Sequence, residues 1–333
     1  MKEAIQMAET GLLGRDGVVN MVGDAVDVIR NERNAHASSA THIREFVGLA
    51  LEQIETRASG VIPDNLTTTG FPEQDQILSG GFADGDLIVL AARPSMGKTA
   101  ISLAFAEAAA AKDRAVFYAS TEQSGLALTY RSLASASRIN ATKLREADLQ
   151  DDDYARLVDG AQKVGELDIF IDETSSLTLP ELCNRIRAFA TDVRQRTGKK
   201  ILVVVDYLQR LQAHRNAERA VILGEITTGL KNLAKEIGCP IVLLAQLNRK
   251  VEERTSKRPM MSDLAESGKI EQDADVIMFL YRDEYYNPAT KEPGITEVIT
   301  GKNRDGKVGI VKLAFQADQL RYSSVAFGGG NDY

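Results

Sequence analysis

A lysine followed by a hydroxyl, Lys98-Thr99, closes the stretch Asp86 to Thr99, DLIVLAARPSMGKT. Leu87 to Leu90 is a continuous apolar run, as a strand buried on both faces of a parallel sheet requires, and a helical pattern runs on from Ala100 to Ala111. Strand, turn, lysine, hydroxyl and helix in that order make a phosphate cradle. The N–H groups of the turn and of the first helical turn point at an anion, and the partial positive charge of the helix start favours it. On this reading Arg93, Pro94, Ser95, Met96, Gly97, Lys98, Thr99 and Ala100 surround a triphosphate, Lys98 reaches the β and γ phosphates and Thr99 ligates Mg2+. The first glycine of the usual GxxxxGK(S/T) pattern is Ala92 here. The assignment therefore rests on the strand before the loop and the helix after it.

Further candidates stand at the ends of other apolar runs. Asp206 closes ILVVVD, at the carboxyl edge where open α/β sheets place their ligands. It either holds Mg2+ beside Thr99 or caps the strand end. Glu122, after AVFYAS, is either a general base for an attacking water or an ordinary loop glutamate. Gln246, ending IVLLAQ, either senses the γ phosphate or serves backbone groups at the strand end. In the loop that follows, Arg249, Lys250, Arg254, Lys257 and Arg258 outnumber Glu252 and Glu253, and no apolar periodicity is present. Such a segment is a candidate for phosphodiester contact, although by composition alone a solvated surface is the commoner outcome. It carries no aromatic residue, so contact there would rest on backbone phosphates and be independent of base sequence. Lys302 and Arg304 in ITGKNRDG project to one face of a strand near its tip. They either reach a nucleotide on an adjacent copy as an arginine finger or are solubility charges of a hairpin.

The elements that must position these groups form an alternating series. Ala115 to Ser120, Leu167 to Asp172, Ile201 to Asp206, Ile241 to Gln246 and Val276 to Tyr281 are short apolar runs with helical patterns between most of them. This predicts an α/β fold with a doubly wound, mostly parallel sheet. Glu297 to Arg304 and Val308 to Phe315 alternate around Asp305-Gly306, the signal of a β-hairpin with a two-residue turn, and Leu320 to Phe327 adds an edge strand. Before this series, residues 1–40 form a short segment interrupted by glycines, with a short helix near Val22 to Arg30. Ile43, Phe46, Val47, Ala50, Leu51 and Ile54 then recur at helical spacing behind Thr41 as N-cap. Residues 41–66 read as a helix and tether whose stripe packs on its own body or on a neighbouring subunit, 67–327 as the main domain and 328–333 as a loose tail. The chain has 333 residues, 44% hydrophobic and 26% charged, enough for one large core and a small appendage. Cys183 and Cys239 match no metal spacing, so they read as inert core thiols of a reduced protein. No secretory signal, membrane-spanning run or repeat is present in the sequence. The net charge of -7 excludes a surface that is basic all over, but not a local basic channel.

The segments Thr69 to Thr99, Val203 to Gln209 (VVVDYLQ), Leu230 to Arg254, Lys257 to Tyr286 and Gly301 to Gly306 together resemble the replicative DNA helicases of the DnaB type, with their RecA-like motor domain. ARPSMGKT looks like that family's own form of the phosphate loop. By position the resemblance makes Lys98 and Thr99 the phosphate and Mg2+ residues, Asp206 the Walker B aspartate, Glu122 the catalytic glutamate and Gln246 the sensor. Lys302 and Arg304 match the residues acting in trans. Arg219, Arg249, Lys250, Arg254, Lys257, Arg258, Glu266 and the Gly268 backbone become the DNA contacts. Ala265 replaces a frequent arginine at that point, and STEQ around Glu122 departs from its relatives' flanks.

What the resemblance implies is an ATP- and Mg2+-dependent motor, a homo-hexameric ring closed through the helix after Thr41. It would translocate 5′ to 3′ on single-stranded DNA and unwind forked DNA in a bacterial or phage-infected cytoplasm. Primase and a helicase loader are the implied partners, and no membrane is involved. Family members carry a helical N-terminal collar, which residues 1–40 are too short to supply; a phage, prophage or trimmed version is the corresponding expectation. The competing classes are a RecA-like recombination or repair ATPase that forms filaments, and a non-catalytic regulator subunit of a helicase ring.

Overall fold

The computed structural model describes residues 42–206, 219–264 and 268–325. The expected helix near Val22 to Arg30, the Thr41 cap, Tyr207 to Gln209, Glu266 and the tail after Gly328 lie outside these residues. The chain divides into two compact units, 1–63 and 64–333. In the first, helix α1 (Ile43–Ala58) is capped by His42, whose Nδ1 accepts from the Arg44 N–H at 3.1 Å. None of its residues is buried, and Ile43, Phe46, Val47, Leu51 and Ile54 expose their side chains. The expected apolar stripe is thus present.

The second unit opens with a two-stranded antiparallel ribbon of β1 (Leu66–Thr67) and β2 (Phe82–Ala83), with α2 (Pro72–Ile77) between them. Its chain continues through β3 (Leu87–Ala92), α3 (Lys98–Ala110), β4 (Ala115–Ser120), α4 (Gly125–Ser137), α5 (Ala141–Glu146), α6 (Asp151–Gly165), β5 (Ile169–Asp172) and α7 (Leu179–Thr197). Then follow β6 (Ile201–Asp206), α8 (Arg219–Ile237), β7 (Ile241–Gln246), α9 (Gly268–Asp273), β8 (Val276–Tyr281), α10 (Asp283–Tyr286), β9 (Ile295–Asn303), β10 (Gly309–Gln316) and β11 (Arg321–Ser324). The large sheet has nine strands in the order β11-β10-β9-β8-β3-β7-β6-β4-β5. From β8 to β5 the pairs are parallel, whereas β9, β10 and β11 extend the sheet antiparallel.

Alternate residues of the central strands feed two cores, as the pleat requires. Val89, Val203, Leu243 and Phe279 pack on one face with residues of α7 and α8. Leu90, Val204, Leu244 and Met278 pack on the other with α3 and with Leu128 of α4. Cys183 and Cys239 are free and buried in the first core, where burial pushes the Cys239 thiol up to about 12. Inert core thiols were the expectation. No described helix is long and apolar enough to cross a membrane.

The β9–β10 connection differs from the two-residue turn that Asp305-Gly306 suggests. Thr300 pairs with Gly309, so the ladder ends early and the connection runs from Arg304 to Val308. Asn303 holds it instead, donating through Nδ2 to the carbonyls of Ile77 at 3.0 Å and Lys307 at 3.2 Å. Docking on α2 overrides the local turn preference.

One buried acid joins the first two helices of the second core. Glu107 of α3 has an oxygen, Oε1, that makes no hydrogen bond, and its carboxyl meets the Ser132 hydroxyl of α4. Burial raises its pKa from 4.5 to about 7, more than Ser132 lowers it. A carboxyl raised in the folded state contributes fully below the unfolded value, and that contribution is lost as pH rises through the folded one. The rise from 4.5 to about 7 corresponds to on the order of 3 kcal/mol of stability lost by pH 8. Urea denaturation at pH 5 and pH 8 checks this: Glu107→Gln should flatten the decline and make the protein more stable than wild type at pH 8.

Candidate functional site

The phosphate loop is shaped by two backbone devices. Ser95 and Gly97 have φ of 67° and 93°, left-handed values that turn successive N–H groups inward. At Gly97 a Cβ would lie 2.2 Å from the Tyr322 hydroxyl, so only glycine leaves the turn undisturbed. That hydroxyl donates to the Met96 carbonyl at 3.2 Å, and Tyr322 stacks on Phe315 with ring centroids 4.5 Å apart. The last two strands therefore buttress the loop from behind.

The loop opens into a cleft of about 450 Å³. Pro94, Ser95, Gly97, Lys98, Thr99, Ala100, Glu122 and Gln246 all line it. Met96 faces away and is buried in the core. Lys98 Nζ lies 3.4 Å from the Ala245 carbonyl, and Thr99 Oγ1 donates to Asp206 Oδ2 at 3.2 Å. Asp206 is fully buried at the end of β6, and its second oxygen, Oδ1, has no hydrogen-bond partner. Burial lowers the Lys98 pKa and raises that of Asp206, while the opposite charge of each resists the other's shift. The charge of Glu122, exposed at the rim, acts on both. A hydroxyl and an unsatisfied carboxylate oxygen next to a cation suit a hard metal ion carrying phosphate oxygens.

Arg93 divides its contacts between the cleft and the segment behind it. It borders the cleft, but its guanidinium turns away, donating to the Leu247 carbonyl at 2.9 Å and to Glu252 Oε1 at 2.8 Å. The basic loop is also less available than its composition implied. Arg258 makes two 2.8 Å bonds to Glu297 and lies over the Tyr281 ring. Arg254 donates to Asp263 at 2.6 Å and to the Arg258 carbonyl, and Lys257 donates to the Glu252 carbonyl. Arg254 and Lys257 fold the segment upon itself, and Arg258 ties it to β8 and β9. Arg249 and Lys250 stay exposed on a 3-10 turn, Arg249–Glu253, that the Asn248 side chain caps. Gly268 opens α9 with open space where a Cβ would stand. Arg219 begins α8, its side chain lying outside the described ones, as does all of Glu266.

Lys302 and Arg304 sit far from the cleft along the strand direction. Asn303 and Lys302 pair with Val276 and Ile277, at the amino end of β8, whereas the phosphate loop leaves the carboxyl end of the parallel neighbour β3. Lys302 Nζ donates to the carbonyls of Glu271 and Ala274, each at 2.6 Å, and Arg304 to Asp275 Oδ1 at 3.1 Å. The pair and the cleft occupy opposite edges of one sheet.

Residues 67–324 match the family described as DnaB-like helicase C terminal domain. The chain belongs to that family. The replicative DNA helicase DnaC of Bacillus subtilis (strain 168) is 36% identical in an alignment of 331 positions that covers 97% of this chain and 70% of the relative. A solved ATPase domain superposes with a TM-score of 0.80 at 34% identity, covering 86% of this chain and all of that one. A solved DnaB-like replicative helicase, described together with its interactions with primase, superposes at 0.78 and 33% identity, covering 97% of this chain and 76% of that one.

Within this DnaB-like domain, the sheet is the mostly parallel α/β sheet that the alternation of elements predicted, in the RecA-like form that the resemblance implied. Two arginines of the cleft went unnoticed in the sequence. Arg131, on α4, reaches the cleft and donates through Nε to Gln123 Oε1 at 2.9 Å, beside the strand-end glutamate. Arg282, just after β8, lies over Phe315 at 4.7 Å and donates to the Ser95 carbonyl at 3.4 Å. Arg131 stands outside the segments that carry the resemblance and Arg282 within one of them, Lys257 to Tyr286; the available signal was position, each following a strand whose end faces the cleft. Gly97→Ala should lower nucleotide affinity at least about tenfold, through left-handed strain and the clash at Tyr322. Fluorescent-nucleotide titration measures it, and Gly97→Ala combined with Tyr322→Phe should recover part of the loss.

Proposed function

We propose that this chain is the ATP-driven motor of a ring-shaped replicative DNA helicase, with each nucleotide cleaved between two copies. The observation that carries this reading is the sheet polarity described above. Lys302 and Arg304 cannot serve the cleft of their own chain from the far edge of the sheet, yet stacked copies would set that edge against the next cleft. A homo-hexamer is the closed form, with α1 and its exposed apolar stripe docking on the neighbouring subunit.

Lys98 and the N–H groups of residues 95–99 bind the β and γ phosphates, and Arg131 adds a second cation at the γ side. Mg2+, held by Thr99 and the unpartnered Asp206 oxygen, would neutralise charge building up on the phosphates. Glu122 orients the attacking water and takes its proton. Gln246, ending β7 opposite Ala92, relays the state of the γ phosphate to the segment after it. Arg249 and Lys250, with Arg219, Glu266 and the Gly268 backbone, contact single-stranded DNA through its phosphates, independent of sequence. Arg254, Lys257 and Arg258 shape the loop that presents them. Forked DNA in the cytoplasm is the substrate. Primase and a helicase loader are the fitting partners; a primase interaction is described for a solved relative.

Lys98→Ala should abolish ATP hydrolysis and leave a folded protein, read by phosphate release and circular dichroism. Strand displacement on a forked substrate should proceed with ATP and stop with a non-hydrolysable analogue. Arg304→Ala should cut DNA-stimulated hydrolysis by about a thousandfold while nucleotide affinity changes little. Asp275 keeps Lys231 and the Leu87 N–H as partners, so folding should survive. Mixing mutant with wild-type subunits should depress the rate more than in proportion; simple dilution would rule out a site shared between copies.

A further inference from the structure

Arg93 is the first residue of the phosphate loop, and its side chain leaves the cradle. The guanidinium is 9% exposed and bridges two points of the segment that follows β7, the Leu247 carbonyl at 2.9 Å and Glu252 Oε1 at 2.8 Å. The first point is fixed. Leu247 donates its N–H to the Ala92 carbonyl at 3.1 Å and bridges Leu264, so this part of the segment belongs to the sheet. The second point lies outside the sheet, held by the buried Val251 beside it and by Lys257, which donates to the Glu252 carbonyl. Glu252 is 39% exposed and sits on the 3-10 turn Arg249–Glu253 that also carries the exposed cations Arg249 and Lys250. Beyond Asn248 that turn has its own cap rather than a strand partner.

A guanidinium holds a carboxylate by direction as well as by charge, so displacement of one end moves or releases the other. The N–H groups of residues 95–99 supply the phosphate donors, so nucleotide binding bears on the backbone that follows Arg93. Arg93 begins that backbone, and its carbonyl accepts from the Met96 N–H at 3.4 Å within the turn.

We infer that the Arg93–Glu252 ion pair couples nucleotide binding to polynucleotide binding, with Arg93 and Glu252 as positioning residues. It is a side-chain link that runs alongside the backbone path through Gln246. In one nucleotide state the pair holds the turn so that Arg249 and Lys250 face the strand; in the other it lets the turn withdraw. The inference rests on the proposed function, since it needs both ligands to bind.

The test uses equilibrium binding by the full chain, without turnover. Affinity for a fluorescent oligo(dT) is measured with Mg-ADP and with a non-hydrolysable Mg-ATP analogue, and the ratio of the two affinities is the coupling. Reciprocity requires that DNA shift the nucleotide affinities by the same factor, which gives an independent reading. Glu252→Ala should bring the ratio at least about fivefold closer to one. Glu253→Ala removes the same charge from the same turn and should leave the ratio within about twofold of wild type, although both variants can tighten DNA binding by lowering the negative charge. Equal changes of affinity in both nucleotide states, with the ratio intact at Glu252→Ala, would overturn the coupling and leave the pair a plain structural tie. Loss of ratio in both variants would assign the effect to charge and overturn it as well. If the wild-type chain binds no oligonucleotide in either state, the proposed function itself fails, a result distinct from an intact ratio in the variant.

Discussion

The opposed charges of Lys98, at the start of α3, and Asp206, at the end of β6 two strands away from β3, govern what the rest of the structure can do. Neither Lys98 nor Asp206 is comfortable in its charged form, for burial opposes both charges. What keeps the arrangement folded is the sheet beneath it. β3, β6 and β7 are packed on both faces and parallel, so their ends cannot move apart without opening both cores. The site is thereby left under-satisfied, with Asp206 Oδ1 unbonded, which suits the charged ligand and hard metal ion of the proposed function.

The antiparallel extension gives this frame its second role. β9 to β11 close the sheet beside β8 and reach back to the phosphate loop through Tyr322 and, from the end of β8, Arg282. At its other end the same extension presents Lys302 and Arg304. A rigid element that touches its own loop at one edge and carries this pair at the other suits the proposed sharing of a site between copies. The basic segment after β7 is tied in similarly, through Leu247 to the sheet and through Arg93 to the loop.

Much of this could be read from residue order. Buried parallel strands need unbroken apolar runs, and a phosphate cradle needs a glycine and a lysine at a helix start, so β3, β4, β6, β7 and β8 and the core of the cleft were legible. The misreadings share a cause. Arg254 and Arg258 were counted as available charge because composition does not register that Asp263 and Glu297 stand within bonding distance, nor that Lys257 meets the Glu252 carbonyl. Arg131 and Arg282 escaped because a helix turn and a strand exit show no periodicity that marks which side faces a ligand. The Asp305-Gly306 turn was misjudged because its long-range partner, the Ile77 carbonyl, is remote in sequence.

By itself the amino-acid order determined the local periodicities, the strand-loop-helix of the cradle and the chemical types at the strand ends, since these follow from pleat, helix pitch and backbone donors. Only the tertiary structure decided which cations remain available, which residue buttresses Gly97, and that the cleft and the Lys302–Arg304 pair lie at opposite edges of the sheet. The physical reason is that charge pairing, close contact and strand polarity are set by partners brought together through folding, and separation along the chain carries no record of them.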